Sequence, residues 1–250
     1  MKIGDYNIVI HRVEETDSTS REIVRRIEEL KNGKIEVLLA GYQTAGRGQQ
    51  GNSWESERGK NLLFSLMLWP EGVEVKRQFR LSQVMAVAVA EALAEYADGF
   101  SIKWPNDIYY GDRKMSGTII ETTWAGDMVE RCVLGVGINV NQREFHSDAP
   151  NPVSLCQVLG REVDCEELLD KVLERFIHYY TVLVQGGEDE IAKHYVDNLF
   201  WREGFHHYCD ADGEFEAEFA GIAPDGQLVL RDTEGHERRY YLKEVKHIII

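Results

Sequence analysis

Glu36-Val-Leu-Leu-Ala-Gly-Tyr42, Gln43-Thr-Ala-Gly46-Arg47-Gly48-Gln-Gln-Gly51-Asn-Ser-Trp54 and Asn61-Leu-Leu-Phe-Ser-Leu-Met-Leu-Trp69 decide the fold by the way they follow one another. Gly46-x-Gly48-x-x-Gly51 has the spacing of a dinucleotide-binding fingerprint, and Glu36–Tyr42 reads as the strand that must precede one. That fingerprint needs a helix opening at its third glycine, so that the helix N-terminus can hold a pyrophosphate. Residues 52–60 have no helical apolar period, and Asn61–Trp69 is a short apolar run of the strand kind. The order is strand, long loop, strand, and the dinucleotide reading fails. Two uses of the glycines stay open: a concave nest of backbone N–H groups that binds an anion, or a hairpin loop needing glycine only for positive φ.

On either side of this unit the pattern mixes helices and strands. Ile8–Val13 alternates like a strand, and Ser18 to Lys31 reads as a helix with Ile23, Ile27 and Leu30 on one face. Thr19-x-x-Glu22 fits a capping box, with Gly33 as the C-terminal stop. Gln78–Ala97 is a long helix, apolar over much of its circumference, as suits packing on a sheet. Phe100–Trp104 is a strand stopped by Pro105, which lacks the N–H a ladder needs. Tyr109–Asp112 turns the chain into Lys114–Trp124, and Ala125-Gly126-Asp127 turns it back through Met128–Val140, an antiparallel hairpin. Helices follow over Asp164–Val184 and Glu188–Phe200. From Gly204 short strands take over, with turns at Pro224-Asp225-Gly226 and Glu234-Gly235. The expected class is α+β: a mixed, largely antiparallel sheet with packed helices over residues 1–203, and a small β domain over 204–250.

With 250 residues and 43% hydrophobic content, the chain can build one sizeable core of the cytosolic globular type. Met1–Glu15 carries Lys2, Asp5, His11 and Arg12 without an apolar leader core, and the apolar stretches near Leu62–Trp69 and Val84–Ala94 are too short to span a bilayer. A cytoplasmic location and no membrane partner are expected. The net charge of −15 argues against DNA, because duplex binding relies on Lys and Arg neutralising phosphates. Between Asp164 and Glu218 stand fifteen Asp and Glu against four Lys and Arg, whereas Arg47, Lys103, Arg113 and Lys114 lie in the first half. If the substrates are anions, those local cations work against the overall field. Cys132, Cys156, Cys165 and Cys209 are far apart without a C-x-x-C, so neither zinc nor a disulfide framework is indicated. His206 and His207 are neighbours on a strand and point to opposite faces.

Three segments supply chemistry together: the Gln43–Trp54 loop, Lys103-Trp-Pro-Asn106-Asp107, and Arg113-Lys114-Met-Ser-Gly117 running on to Glu121. They combine a backbone-rich loop, cations, an aromatic platform and oxygen donors, which is equipment for joining a carboxylate to the phosphate of a nucleotide. Lys114, close to Gly117, can neutralise a carboxylate and then a phosphate as charge moves between them; the plain alternative is a solvated turn lysine. Asp107 can hold Mg²⁺ or orient a lysine, or make an Asx turn with Asn106 after the proline. Trp54 can stack a purine or anchor its loop. Asn139 and Asn141, two apart at a strand end, can read an adenine edge or end the strand. Ser18 and Thr19 can face a ligand or serve as caps.

Gly46-Arg47-Gly48 with a following Trp54, Lys103-Trp-Pro-Asn106-Asp107, Arg113-Lys114-x-x-Gly117 with a later Glu121, and Gly135-x-Gly137-Ile-Asn139-x-Asn141 occur in the order found in biotin protein ligases. The resemblance runs over nearly the whole chain, from Asp17-Ser-Thr19 to the C-terminal β segment. It implies a class II synthetase-like, biotin–lipoate ligase catalytic domain and an SH3-like β-barrel. The implied reaction activates biotin with MgATP to biotinyl-5′-AMP and passes it to a lysine of a biotin carboxyl carrier protein, that of acetyl-CoA carboxylase being the implied acceptor. Carried over residue by residue, Ser18, Thr19 and Gln43 would hold the biotin ureido ring. Gly46, Arg47 and Gly117 would line its chain and the acyl phosphate. Lys114 would bridge carboxylate and α-phosphate, with Arg47 and Asp107 completing the catalytic set. Trp54, Asn106, Asn139 and Asn141 would serve ATP, and Asp107 would take Mg²⁺ and the proton of the incoming lysine.

Two departures carry expectations. The chain starts directly at catalytic strands, without the winged-helix domain of regulatory members, so a dedicated ligase is implied. Gln49, Gln50 and Asn52 stand where many members have arginines or another basic residue, so biotinyl-AMP is expected to leak and label bystander lysines. An arginine near the chain end is also missing, with Lys246 or His247 as substitutes. Two other readings compete: a lipoate or octanoate ligase, told apart by which acid raises the melting temperature, and a biotin or nucleotide binder without turnover. The Thr118–Val140 hairpin either offers a sheet edge through which two copies can pair as a homodimer or is covered by neighbouring strands.

Overall fold

Leu62–Leu68 is buried at every residue and forms β4 in the middle of a large sheet. A strand apolar on both faces must be covered on both. The computed structural model describes residues 1–27, 30, 35–147 and 151–249, with Gln50 described by its backbone only. The strands before β4 are β1 (Lys2–Ile3), β2 (Tyr6–Val13) and β3 (Ile35–Ala40). After it come β5 (Phe100–Lys103), β6 (Asp107–Tyr110), β7 (Arg113–Ala125) and β8 (Met128–Ile138). The sheet order is β1-β2-β3-β4-β8-β7-β6-β5, antiparallel except for the β2–β3 pair.

Side chains alternate between the two faces of the sheet. Leu38, Met67 and Val133 pack with Ile23 of α1 (Thr19–Arg25) and with Leu30. Val37, Leu66, Leu68 and Leu134 join the main core, under α2 (Phe79–Ala94) and α4 (Cys165–Val184), with α5 (Glu188–Asp197) alongside. A short α3 (Leu155–Leu159), which the sequence pattern did not single out, is held at its start by a bond from the Ser154 N–H to Gln157 Oε1, 2.9 Å. No helix among the described residues is long and apolar enough to cross a membrane.

Beyond Gly204, β9 (Phe205–Asp210), β10 (Gly213–Ile222), β11 (Leu228–Asp232), β12 (Glu237–Tyr240) and β13 (Lys246–His247) pair antiparallel in the order β12-β11-β10-β9-β13. The expected barrel is not closed, because β12 and β13 remain the two edges of an open sheet among the described residues. Its inner residues Tyr208, Ala217, Leu228, Leu230 and Tyr240 belong to the same apolar cluster as α2 and α4.

Three local expectations change. The α1 helix stops at Arg25 rather than Lys31; Gly33, its expected stop, lies outside the described residues. The capping box does not form, since Glu22 holds Arg25 and Arg26 at 2.9 and 2.6 Å while Thr19 turns to Gln43. Tyr109 and Tyr110 lie inside β6, paired with Ser101 and Phe100, and the turn shrinks to Gly111-Asp112.

Candidate active site

A cleft of about 820 Å³ opens where the loop after β3 crosses the β7 and β8 strands. Its inner end is polar and buried. Ser18, Thr19 and Ser20, at the start of α1, are 2%, 3% and 5% exposed, and all three line the cleft. Gln43 Oε1 accepts from Thr19 N–H at 2.7 Å and from its hydroxyl at 3.1 Å. Ser65 donates to Thr19 Oγ1 at 2.8 Å and lies 3.1 Å from Ser20 Oγ. Gly135 leaves room for Ser20, whose Oγ would stand 2.2 Å from a Cβ there. Asp17 fixes the start of α1 by accepting from Ser18 N–H at 2.8 Å, and its bond to Arg25 holds its carboxyl well below the usual range.

The glycine loop folds as a narrow hairpin. Arg47 bridges Ser53, Trp54 N–H donates to Gly46 O at 2.9 Å, and Gly48 N–H donates to Asn52 O at 2.6 Å. Gly46 cannot carry a side chain, because its Cβ would lie 2.5 Å from Trp54 O. The hairpin lays the Trp54 indole across Gly117 and Gly137, which face each other on β7 and β8. Trp54 Nε1 is buried there without a hydrogen-bond partner. Gln49 Nε2 ties the hairpin tip to Asn106 Oδ1 at 3.0 Å and to Thr118 O at 3.2 Å.

Lys114 Nζ donates to Asp107 Oδ2 at 2.6 Å, beside Gly117 and 5.9 Å from the centre of the Trp54 ring. Arg47 pairs with Glu121 at 3.2 Å. Asp107 is thus the one carboxylate lining the cleft among the described residues, which fits an ion of the Mg²⁺ type that takes one or two carboxylates and completes its shell with phosphates and water. A further wall is the 142–147 segment, held by Glu55, which accepts from His146 and Ser147 N–H groups at 2.9 and 2.7 Å.

The structure therefore brings Ser18, Thr19, Gln43, Arg47, Trp54, Asp107, Lys114 and Gly117 to one cleft. Gly46 supports the hairpin behind it. Asn106 is 4% exposed and lines an adjoining groove, its amide N–H pointing to Ser82 Oγ at 3.4 Å. Asn139 and Asn141 do not line the cleft: their amides donate to Val153 O at 3.2 Å and Val163 O at 2.8 Å, so they end the strand and hold the segments after it. Lys103 turns away, over the Tyr109 ring at 5.4 Å, and burial lowers its pKa. Lys246 is exposed on β13, and His247 packs among Phe200, Trp201 and Tyr208. Lys243 lines the cleft instead, from a segment in which no motif stands out.

Residues 11–139 match the Biotin/lipoate A/B protein ligase family. The bifunctional ligase/repressor BirA of Escherichia coli is 38% identical over 136 residues, which are 54% of this chain and 41% of that protein. The chain thus spans less than half the length of that relative. The biotin--[acetyl-CoA-carboxylase] ligase of Paracoccus denitrificans is 30% identical over 236 residues, 89% of this chain and 94% of that one. Among solved structures, the biotin protein ligase from Aquifex aeolicus in complex with biotin and ATP superposes with a TM-score of 0.78 at 27% identity, covering 96% of this chain and 99% of the other. By the family match over more than half its length and by relatives aligned along most of it, this chain belongs to the biotin/lipoate A/B protein ligase family.

Proposed function

We propose that the chain is an ATP-dependent biotin ligase that modifies a lysine of a biotin carboxyl carrier domain, such as that of acetyl-CoA carboxylase. The observation that carries this reading is the placing of the Lys114–Asp107 pair beside the glycine floor, in one cleft with the buried Thr19–Gln43–Ser65 chain. A neutral, bicyclic urea needs fixed donors and acceptors, and Ser18, Thr19 and Gln43 offer them at the inner end. The valeryl chain then runs along the Trp54 indole that covers Gly117, towards Lys114.

In the first step a biotin carboxylate oxygen attacks the α-phosphorus of ATP. The new P–O bond gives biotinyl-5′-AMP, and the bond to the β-phosphate oxygen breaks, its electron pair leaving with pyrophosphate. Lys114 and Arg47 stabilise the charge that gathers around the α-phosphorus. A magnesium ion held at Asp107 would add charge neutralisation on the phosphates. In the second step a neutral lysine amine attacks the acyl carbon; the C–N bond forms, the C–O bond breaks and AMP leaves. Asp107 accepts the proton that the attacking amine nitrogen sheds as the C–N bond forms. Trp54, lying on the Gly117–Gly137 floor, offers its indole face to the ligand.

The test incubates the protein with biotin, MgATP and a carrier domain, and reads the mass of the carrier. Addition of one biotin to one lysine is expected, with lipoate and octanoate giving none. Lys114→Ala should cut adenylate formation by about 10²–10³. Unmodified carrier with normal biotin and ATP binding would leave a binder.

A further inference from the structure

The proposed reaction ends on a lysine amine, and two lysines of the chain itself line the cleft among the described residues, Lys114 and Lys243. Lys114 Nζ is engaged by Asp107 at 2.6 Å, against the glycine floor. Lys243 is exposed and has no ion pair or hydrogen bond among the described residues. Other exposed lysines stand away from the cleft. Lys2 lies on β1 and Lys246 on β13, while Lys76 and Lys193 are paired with Glu74 and Asp197, each at 2.6 Å.

Lys243 sits in the turn between β12 and β13, which is closed by the Glu244 N–H to Tyr241 O bond at 3.1 Å and the Tyr241 N–H to Glu244 Oε2 bond at 2.7 Å. Its φ is +74°, a left-handed value that costs stability for a residue with a side chain and that glycine adopts readily. Other turns of the same sheet do use glycine there, Gly226 at +93° and Gly235 at +88°. A lysine kept at such a position, lining a cleft and bonded to nothing, is a candidate for function.

We infer that Lys243 is a modification site: when biotinyl-5′-AMP fills the cleft and no carrier arrives, the protein passes the biotin to its own Lys243. This rests on the ligase reading above. A flexible four-carbon stem carries the amine from the rim into the cleft. In its neutral form the amine attacks the acyl carbon. The C–N bond forms, the acyl C–O bond breaks with its electron pair leaving on AMP, and the proton shed by the nitrogen goes to Asp107. A nucleophile borne by the same chain acts at an effective concentration on the order of millimolar. A lysine of another molecule must instead meet whatever adenylate has escaped, so the two sources of label differ in rate law and in position.

The test incubates the protein without carrier, in one arm with biotin and MgATP and in the other with synthetic biotinyl-5′-AMP, and maps the modified lysines by peptide mass spectrometry. One biotin on Lys243 is expected in both arms, at a rate independent of protein concentration, with Lys2, Lys76, Lys193 and Lys246 each labelled about a tenth as much or less. Lys243→Arg keeps the charge but offers no neutral amine, because the guanidinium stays protonated, and should abolish the concentration-independent label. Lys243→Gly should do the same while relieving the backbone, so a disturbed turn cannot imitate the loss. Label spread over the exposed lysines in the wild type and both variants alike, or a rate that grows with protein concentration, overturns the assignment and leaves escaped adenylate as the source. Label on Lys243 from synthetic biotinyl-5′-AMP, but none from biotin and MgATP, retains the modification site and loses the ligase reading. Lys243 left unmodified while adenylate is present does the reverse.

Discussion

Gly117 and Gly137 are opposite one another on adjacent strands, and their missing side chains let an indole lie flat on a sheet. A Cβ on Gly137 would be 2.6 Å from Trp54 Cε2. Gly137→Ala is therefore expected to push Trp54 off the floor, costing ~1–3 kcal/mol of stability and weakening biotin binding with an altered tryptophan emission; unchanged emission and affinity would show that the indole does not need the floor. His247 gives a second residue-scale prediction. Burial among Phe200, Trp201 and Tyr208, with Lys103 and His206 nearby, pulls its pKa down to about 3. The fold keeps the ring neutral, whereas the unfolded chain protonates it below about pH 6.5. Its contribution is complete above that pH and is lost as pH falls from there to about 3, at up to ~1.4 kcal/mol per pH unit. Urea unfolding at about pH 7.5 and about pH 5 should show a drop that His247→Phe reduces. An equal drop in both proteins would place the titration elsewhere. Sequence pattern could nominate Lys114, Asp107 and Thr19 because each is tied to a motif. It could not nominate Lys243, whose position depends on how two sheets meet.

At the scale of elements, the glycine hairpin, the β5–β6 turn and β7 are laced by one side chain, Gln49, at 3.0 Å from Asn106 and 3.2 Å from Thr118 O. Both partners are acceptors, so an arginine can keep the tie and add a cation near the phosphates. Gln49→Arg should release less biotinyl-AMP and label fewer bystander lysines than the wild type, read by streptavidin staining of an added protein without a carrier motif. Equal, negligible labelling by both would sink the leakage expectation. The strand–loop–strand order of the decisive stretch was legible because Leu62–Leu68 is apolar but for Ser65 and residues 52–60 have no helical period. The end of α1 and the β5–β6 boundary were not. Glu22 is drawn to Arg25 and Arg26 and so abandons the cap, and pairing with Phe100 and Ser101 extends β6 into a stretch that reads as a turn. Spacing and resemblance offer the paired asparagines as the adenine side, while in the structure their amides donate to Val153 O and Val163 O outside the cleft.

Across the whole molecule, the two sheets share one apolar core, in which Leu228 and Leu230 join the cluster built by α2, α4 and the large sheet. Unfolding should accordingly be a single cooperative transition. Leu230→Ala should move it by ~2–5 kcal/mol without splitting it; two resolved transitions would mean that residues 204–250 fold independently. This common core holds Lys243 at the rim of a cleft built by the other sheet. The central claim is that the cleft makes biotinyl-5′-AMP. Its most direct test is biotin-dependent exchange of labelled pyrophosphate into ATP with Mg²⁺ and no acceptor present. Exchange with biotin, and none with lipoate or octanoate, is the predicted result. Exchange that follows lipoate, or no exchange with any acid from a folded protein that binds ATP, would contradict it.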